Sequence, residues 1–160
     1  MLSIYVGPWN VTQKFFDEKG TETGTFKGTE EIVWVLDHHA ILRTYTTTIG
    51  DTIFRANGTI TWSTADKKYK GVWFDNQSTA GPSTVIGEWN ANDKAMIWTI
   101  DSTTNDGQKR QHRIVEKFVD EERRESTTYR IAGSQVIKEL EATYKRTVPC
   151  PGKIRTIIGG

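Results

Sequence analysis

Several side chains that could bind or catalyse lie at alternate positions of segments with strand-like composition. Glu30 occupies one segment, Arg43 and Tyr45 a second, and His112 and Glu116 a third. Residues two apart in a strand share a face, so each group lines the interior of a folded sheet if that face points inward. Buried charges persist only when they are paired, solvated or bound to something. We therefore expect an interior with these residues to form a pocket.

Two kinds of chemistry are open to such a pocket. As a binding site, it would remove the apolar part of a ligand from water, with Arg43 and Tyr45 as donors to a polar or anionic end. As an active site, it would use Glu116 or His112 as acid or base, with Tyr45 or Arg43 stabilising developing charge. The sequence contains no phosphate loop, nucleophile elbow or Cys–His arrangement, so binding is favoured over catalysis.

The histidines give little support for a metal or a cofactor. His38 and His39 are adjacent, no third ligand follows at a fixed spacing, and a solvated turn between strands explains them better. His112 and Glu116 lie about 13 Å apart along a strand at ~3.3 Å per residue, so they cannot form a dyad by themselves. His112 is the one strand histidine that could ligate heme; an inward or rim histidine without iron is favoured. We expect no cofactor, with heme as the lesser alternative.

Composition limits the class of protein. The 160 residues carry 21 basic and 20 acidic side chains, a net charge of +1, which supplies no overall field for holding nucleic acid. The chain length suits one domain. The single cysteine, Cys150, excludes an intramolecular disulfide, and no apolar run approaches the roughly 20 residues that span a bilayer. We expect a cytoplasmic protein, or a secreted one if a signal segment has been removed.

Strand-like segments follow one another along most of the chain, separated by short turns and without a convincing amphipathic helix. This order predicts an all-β fold, an antiparallel up-and-down β-barrel of about ten strands, with a two-sheet sandwich as the alternative. The predicted strands are 7–16, 25–36, 40–49, 52–62, 69–74, 84–89, 95–101, 111–119, 124–131 and 137–146.

The tripeptide Gly-x-Trp occurs three times, at 7–9, 71–73 and 87–89. Since its first and third residues share a strand face, each tripeptide sets a missing side chain beside the largest one. We expect the sheet to bend at these glycines while the indole fills the space, which favours a curved or closed sheet.

Gly7-Pro8-Trp9 and Tyr144-Lys145-Arg146, on the first and last predicted strands, resemble the lipocalin and wider calycin pattern. That resemblance implies a stack of Trp9 on Arg146 near a closed barrel end. Residues 5–146 are similar to a bacterial lipocalin-like family, the domain of unknown function 1579 family, above all around Trp73-Phe74-Asp75. The family implies a barrel with a pocket and no particular reaction, and its usual Gly-rich turn is replaced here by 37–39.

Taken together, these patterns predict a barrel over residues 1–146 followed by a C-terminal tail, 147–160. The predicted function is binding of a small hydrophobic or amphipathic ligand in the lumen, with oligomeric state left open. Two alternatives remain: an enzyme acting on a hydrophobic substrate in the same lumen, and an interaction module with a packed interior. The predicted ligand-binding residues are Glu30, Trp34, Arg43, Tyr45, Trp62, Trp73, Trp98, His112 and Glu116.

Overall fold

The computed structural model of the chain describes residues 2–147, which form a short 3₁₀ helix and ten β-strands. All ten predicted strands are present, and their ends differ from the prediction by a few residues at most. The tail, apart from Thr147, lies outside the described residues. The helix spans Leu2–Ile4 and the strands are β1 Gly7–Phe16, β2 Glu22–Val35, β3 Ala40–Ile49, β4 Thr52–Ser63, β5 Lys68–Asp75, β6 Ser83–Asn90, β7 Ala95–Thr103, β8 Lys109–Phe118, β9 Arg123–Ala132 and β10 Gln135–Arg146.

The ten strands close into one barrel. Each strand pairs antiparallel with its neighbours in sequence, and β1 pairs with β10, for example Trp9 opposite Arg146. Closure leaves no unpaired sheet edge. The predicted barrel is confirmed, and the two-sheet sandwich is wrong, because the short connections between strands suit a meander. No helix among residues 2–147 is long and apolar enough to span a membrane.

The amino-terminal segment closes one end of the barrel. Leu2 and Tyr5 are buried against Trp9 and Ile32 in the main hydrophobic core. Arg146 fixes this segment, since its Nη1 donates to the carbonyl of Val6 at 2.5 Å and its Nη2 to the carbonyl of Ile4 at 2.9 Å. The guanidinium carbon of Arg146 also lies 4.1 Å from the ring centre of Trp9. The stack that the calycin resemblance implied is therefore present, at the closed end of the barrel.

Glycine and tryptophan do pack together, but across strands and not within the tripeptides. A Cβ on Gly58 would lie 2.6 Å from the ring of Trp73, which sits on the neighbouring strand, and a Cβ on Gly87 would overlap the ring of Trp98. Trp89, the indole of the third tripeptide, is 44% exposed at the end of β6. Facing residues of paired strands lie closer together than residues two apart in the same strand. The expectation that each indole fills the space beside its own glycine is therefore wrong.

Candidate functional site

A cavity of about 390 Å³ occupies the interior of the barrel. It extends toward the end opposite Tyr5, where β1 and β3 end and β4 begins. Its wall is mainly apolar, as in most small-molecule sites, which span ~300–1,000 Å³. Apolar residues that line it include Phe15, Ile49, Phe54, Ile60, Trp73 and Leu140.

Polar and charged side chains gather on one part of the wall. Glu30 on β2 and Arg43 on β3 are diagonal neighbours on two paired strands, since Arg43 lies opposite Ile32. Both side chains point inward, because they share their strand faces with the buried Ile32 and Ile41. Nε of Arg43 donates to Oε1 of Glu30 at 2.8 Å, and its Nη2 lies 2.7 Å from the same oxygen. These two residues, Glu116 on β8, which also lines the cavity, and Arg124 on β9, which lies buried behind the wall, form what we call the polar floor.

Glu116 accepts hydrogen bonds from three directions. The hydroxyl of Tyr5 and Nε1 of Trp98 both donate to Oε2 at 2.8 Å, while Nη1 of Arg124 donates to Oε1 at 2.5 Å. Only 3% of the Glu116 side chain is exposed. These contacts occupy both carboxylate oxygens and fix the position of the side chain.

Arg124 joins the two halves of the polar floor. Its Nη2 donates to Oε2 of Glu30, so its guanidinium bridges Glu30 and Glu116. The side chain is fully buried, and its guanidinium carbon lies 3.8 Å from the ring centre of Tyr144, 4.8 Å from that of Trp9 and 5.3 Å from that of Tyr5. Nε of Arg124 has no hydrogen-bond partner among the described residues. Aromatic faces attract a guanidinium, which offsets part of the cost of burying it.

The charges of the polar floor hold each other in place. Burial by itself would raise the pKa of Glu30, but the Arg43 and Arg124 guanidiniums outweigh that effect and the pKa is lowered. Burial would lower the pKa of Arg43, and the carboxylates of Glu30 and Glu116 raise it instead. The pKa of Tyr5 is raised, first by burial and then by the charge of Glu116, so its hydroxyl remains a donor. At neutral pH, Glu30 and Arg43 are therefore charged and compensate each other.

A second polar pair links β1 and β3 across β2, which lies between them. The hydroxyl of Tyr45 on β3 donates to Oε1 of Gln13 on β1, and both residues line the cavity. The contact crosses Gly28, where an added Cβ would lie 2.9 Å from the Tyr45 hydroxyl. A side chain at position 28 would therefore separate Tyr45 from Gln13.

Six of the nine predicted ligand-binding residues lie together around this cavity. They are Glu30, Arg43, Tyr45, Trp73, Trp98 and Glu116.

The other three predicted residues lie away from the cavity wall. Trp34 packs against the core at the closed end, its ring 5.4 Å from that of His38. Trp62 is 45% exposed and packs edge-on against Tyr69 with ring centres 4.8 Å apart. His112 lies 3.2 Å from Oε2 of Glu139 and makes no contact with Glu116. All three have the expected strand face but sit near strand ends, because alternation predicts the direction of a side chain and not its depth.

Sequence reasoning missed Tyr5 and Arg124. Tyr5 precedes β1, in a segment with no strand pattern. Arg124 alternates with Ser126 and Thr128 on a strand without an apolar face, so hydropathy does not indicate which face of the strand points inward. Two inward carboxylates with one inward arginine nevertheless indicate that a further buried cation is needed. Arg124 takes this position in the structure, because it pairs with Phe118 of β8.

The closed ten-stranded barrel with an interior cavity defines this chain as a lipocalin-like barrel protein. Residues 1–146 match a family described as a protein of unknown function, DUF1579, and the chain belongs to that family. Comparison with curated proteins gave no match.

Solved structures match this chain to different degrees. The S-type phycobiliprotein lyase CPES from Guillardia theta superposes with a TM-score of 0.66 at 10% sequence identity, covering 93% of this chain and 92% of that one. A redesigned β-barrel superposes with a TM-score of 0.47 at 14% identity, covering 91% of this chain and 94% of that one. At 10% identity the lyase shows a shared fold and nothing about residues or ligands.

Proposed function

We propose that this protein binds a small, mainly apolar molecule with a polar end inside the barrel cavity. The observation that carries the proposal is the division of the cavity wall into an extended apolar surface and a compact polar floor. Such a division removes the apolar part of a ligand from water while a few fixed polar groups orient its other end. The expectation of a bacterial, cytoplasmic protein belongs to the same proposal.

The two alternative functions have less support from the geometry. An enzyme would need two ionisable groups near one bound atom, but His112 pairs with Glu139 away from the cavity and Glu116 is held by three donors. A cavity of about 390 Å³ disfavours an interaction module with a packed interior.

Two adjacent threonines on β9 provide a test. Thr128 lines the cavity, whereas Thr127 points away from it, because neighbours in a strand face opposite sides. Thr128→Phe should fill part of the cavity and raise the dissociation constant of the neutral dye N-phenyl-1-naphthylamine about tenfold, which corresponds to about 1.4 kcal/mol. Thr127→Phe is the matched control and should bind the dye like the wild type.

Fluorescence titration of the three proteins measures these constants, and native mass spectrometry of freshly purified protein looks for a co-purified small molecule. The proposal fails if the wild type shows no saturable dye binding. It fails equally if Thr128→Phe binds the dye as tightly as Thr127→Phe does.

A further inference from the structure

Arg43 is the one cation among the described residues that line the cavity, and it is already paired. Its Nε and Nη2 both meet Oε1 of Glu30, at 2.8 and 2.7 Å. These two nitrogens form the side of the guanidinium that most often binds a carboxylate in two parallel hydrogen bonds. Glu30 therefore occupies this side of Arg43. Nη1 of Arg43 has no hydrogen-bond partner within residues 2–147, and 14% of the side chain is exposed.

The charges around the cavity leave no cation to spare for an anionic ligand. Glu30 and Glu116 contribute two carboxylates, and Arg43 and Arg124 contribute two guanidiniums, joined in the order Arg43, Glu30, Arg124, Glu116. Arg124 is fully buried behind the wall and does not line the cavity. A ligand carboxylate at Arg43 would add a third buried negative charge beside two others. It would also lose its hydration, which costs several kcal/mol for a buried ion without a partner.

The same surface still offers hydrogen-bond donors for an uncharged acceptor. The amide nitrogen of Gln13 is available because its oxygen accepts from Tyr45. The hydroxyls of Ser126 and Thr128 also lie in the wall, and Nη1 of Arg43 adds a further donor. A carbonyl oxygen can accept from such groups and loses far less hydration energy than a carboxylate does.

We propose that the cavity selects a ligand whose head group is an uncharged acceptor, such as an amide, ester or ketone carbonyl, over the corresponding carboxylate. Glu30 is the specificity-determining residue, because it neutralises Arg43 and occupies its carboxylate-binding side. This inference rests on the proposed function and narrows its ligand class.

A matched ligand pair tests the selection. 4-Butylbenzamide and 4-butylbenzoate have the same carbon skeleton and differ in the charge of the head group at pH 7.5. Displacement of N-phenyl-1-naphthylamine from the wild type should give an affinity about tenfold higher for the amide, or about 1.4 kcal/mol. Glu30→Gln frees Arg43 and should shift the preference toward the benzoate by tenfold or more. Glu31→Gln, which removes an exposed carboxylate from the next position of β2, should keep the wild-type preference.

Each result has a distinct meaning. A wild type that prefers the benzoate overturns the selection of an uncharged head group while the binding function stands. Displacement by neither compound, with the dye bound, also overturns it. Absence of dye binding refutes the proposed function and this inference together. If Glu30→Gln does not fold, the preference of the wild type decides the question alone.

Discussion

Arg124 places one guanidinium between two buried carboxylates and three aromatic rings. Glu30 and Glu116 approach it from β2 and β8, and its neighbours on β9 make no comparable contact. Without this side chain, Arg43 would be the one cation facing both carboxylates. Burial of a paired ion is weak evidence for stability, but removal of one partner leaves an uncompensated buried charge. We therefore expect loss of Arg124 to lower the free energy of unfolding more than loss of any other side chain of the polar floor.

Arg124→Met should lower the free energy of unfolding by about 3–5 kcal/mol, the usual effect of removing one partner of a buried ion pair. The control is Arg123→Met at the adjacent position. Arg123 is exposed and lies 3.8 Å from Glu125, so its loss should cost less than about 1 kcal/mol. Urea denaturation of both variants measures the difference. A loss below 1 kcal/mol for Arg124→Met would show that the floor does not depend on this residue.

Which single residues the sequence could predict depended on the strands they occupy. Glu30 and Arg43 share faces with clearly apolar residues such as Ile32 and Ile41, and these faces point inward in the structure. Arg124 lies on a strand whose two faces are both polar, and only its pairing with β8 reveals which one is inside. Charge balance among Glu30, Arg43 and Glu116 would have indicated that one more buried cation was needed, but not where along the chain.

At the level of the strands, turn residues and alternation predicted the number of elements and their order well. Depth along the barrel axis was not predicted. Trp62 and Trp73 both have inward-facing positions, yet Trp73 lines the cavity while Trp62, near the end of β4, is 45% exposed. Depth depends on where each strand enters the closed sheet, and that is fixed by pairing between strands and not by the pattern within one.

The contact between β6 and β7 depends on a missing side chain. Trp98 packs directly over Gly87 on the paired strand, and the indole nitrogen of Trp98 then reaches Glu116 at 2.8 Å. Gly87 has ordinary strand backbone, so space and not conformational freedom requires glycine at this position.

Gly87→Ala should push the Trp98 ring away and weaken its hydrogen bond to Glu116. Overpacking of this kind costs about 1–3 kcal/mol. Glu88→Ala, the adjacent outward position, removes an exposed ion pair with Lys68 and should cost less than about 1 kcal/mol. Chemical denaturation gives both values, and a shift of tryptophan emission should accompany the first variant alone. Equal stabilities for the two variants would contradict this account of the β6–β7 contact.

For the molecule as a whole, the buried charges and phenols set the pH range of stability. The pKa of Glu30 is lowered, against the effect of burial, by Arg43 and Arg124. Its contribution is thus fully present above the unfolded pKa of about 4.3 and is lost as the pH falls through the lower folded pKa. Burial raises the pKa of Tyr5 and of Tyr144. Their contribution is fully present below the unfolded pKa of about 10 and is lost as the pH rises above it.

The free energy of unfolding should therefore be nearly constant from about pH 5 to 9 and should fall on both sides. Glu30→Gln should be less stable than the wild type at pH 7, because it leaves Arg43 and Arg124 undercompensated, yet lose less stability between pH 5 and pH 3. Glu31→Gln, at the exposed neighbouring position, should retain the wild-type slope over that interval. Urea denaturation at a series of pH values distinguishes the two variants. An acid slope unchanged by Glu30→Gln would mean that other carboxylates, and not the polar floor, govern acid stability.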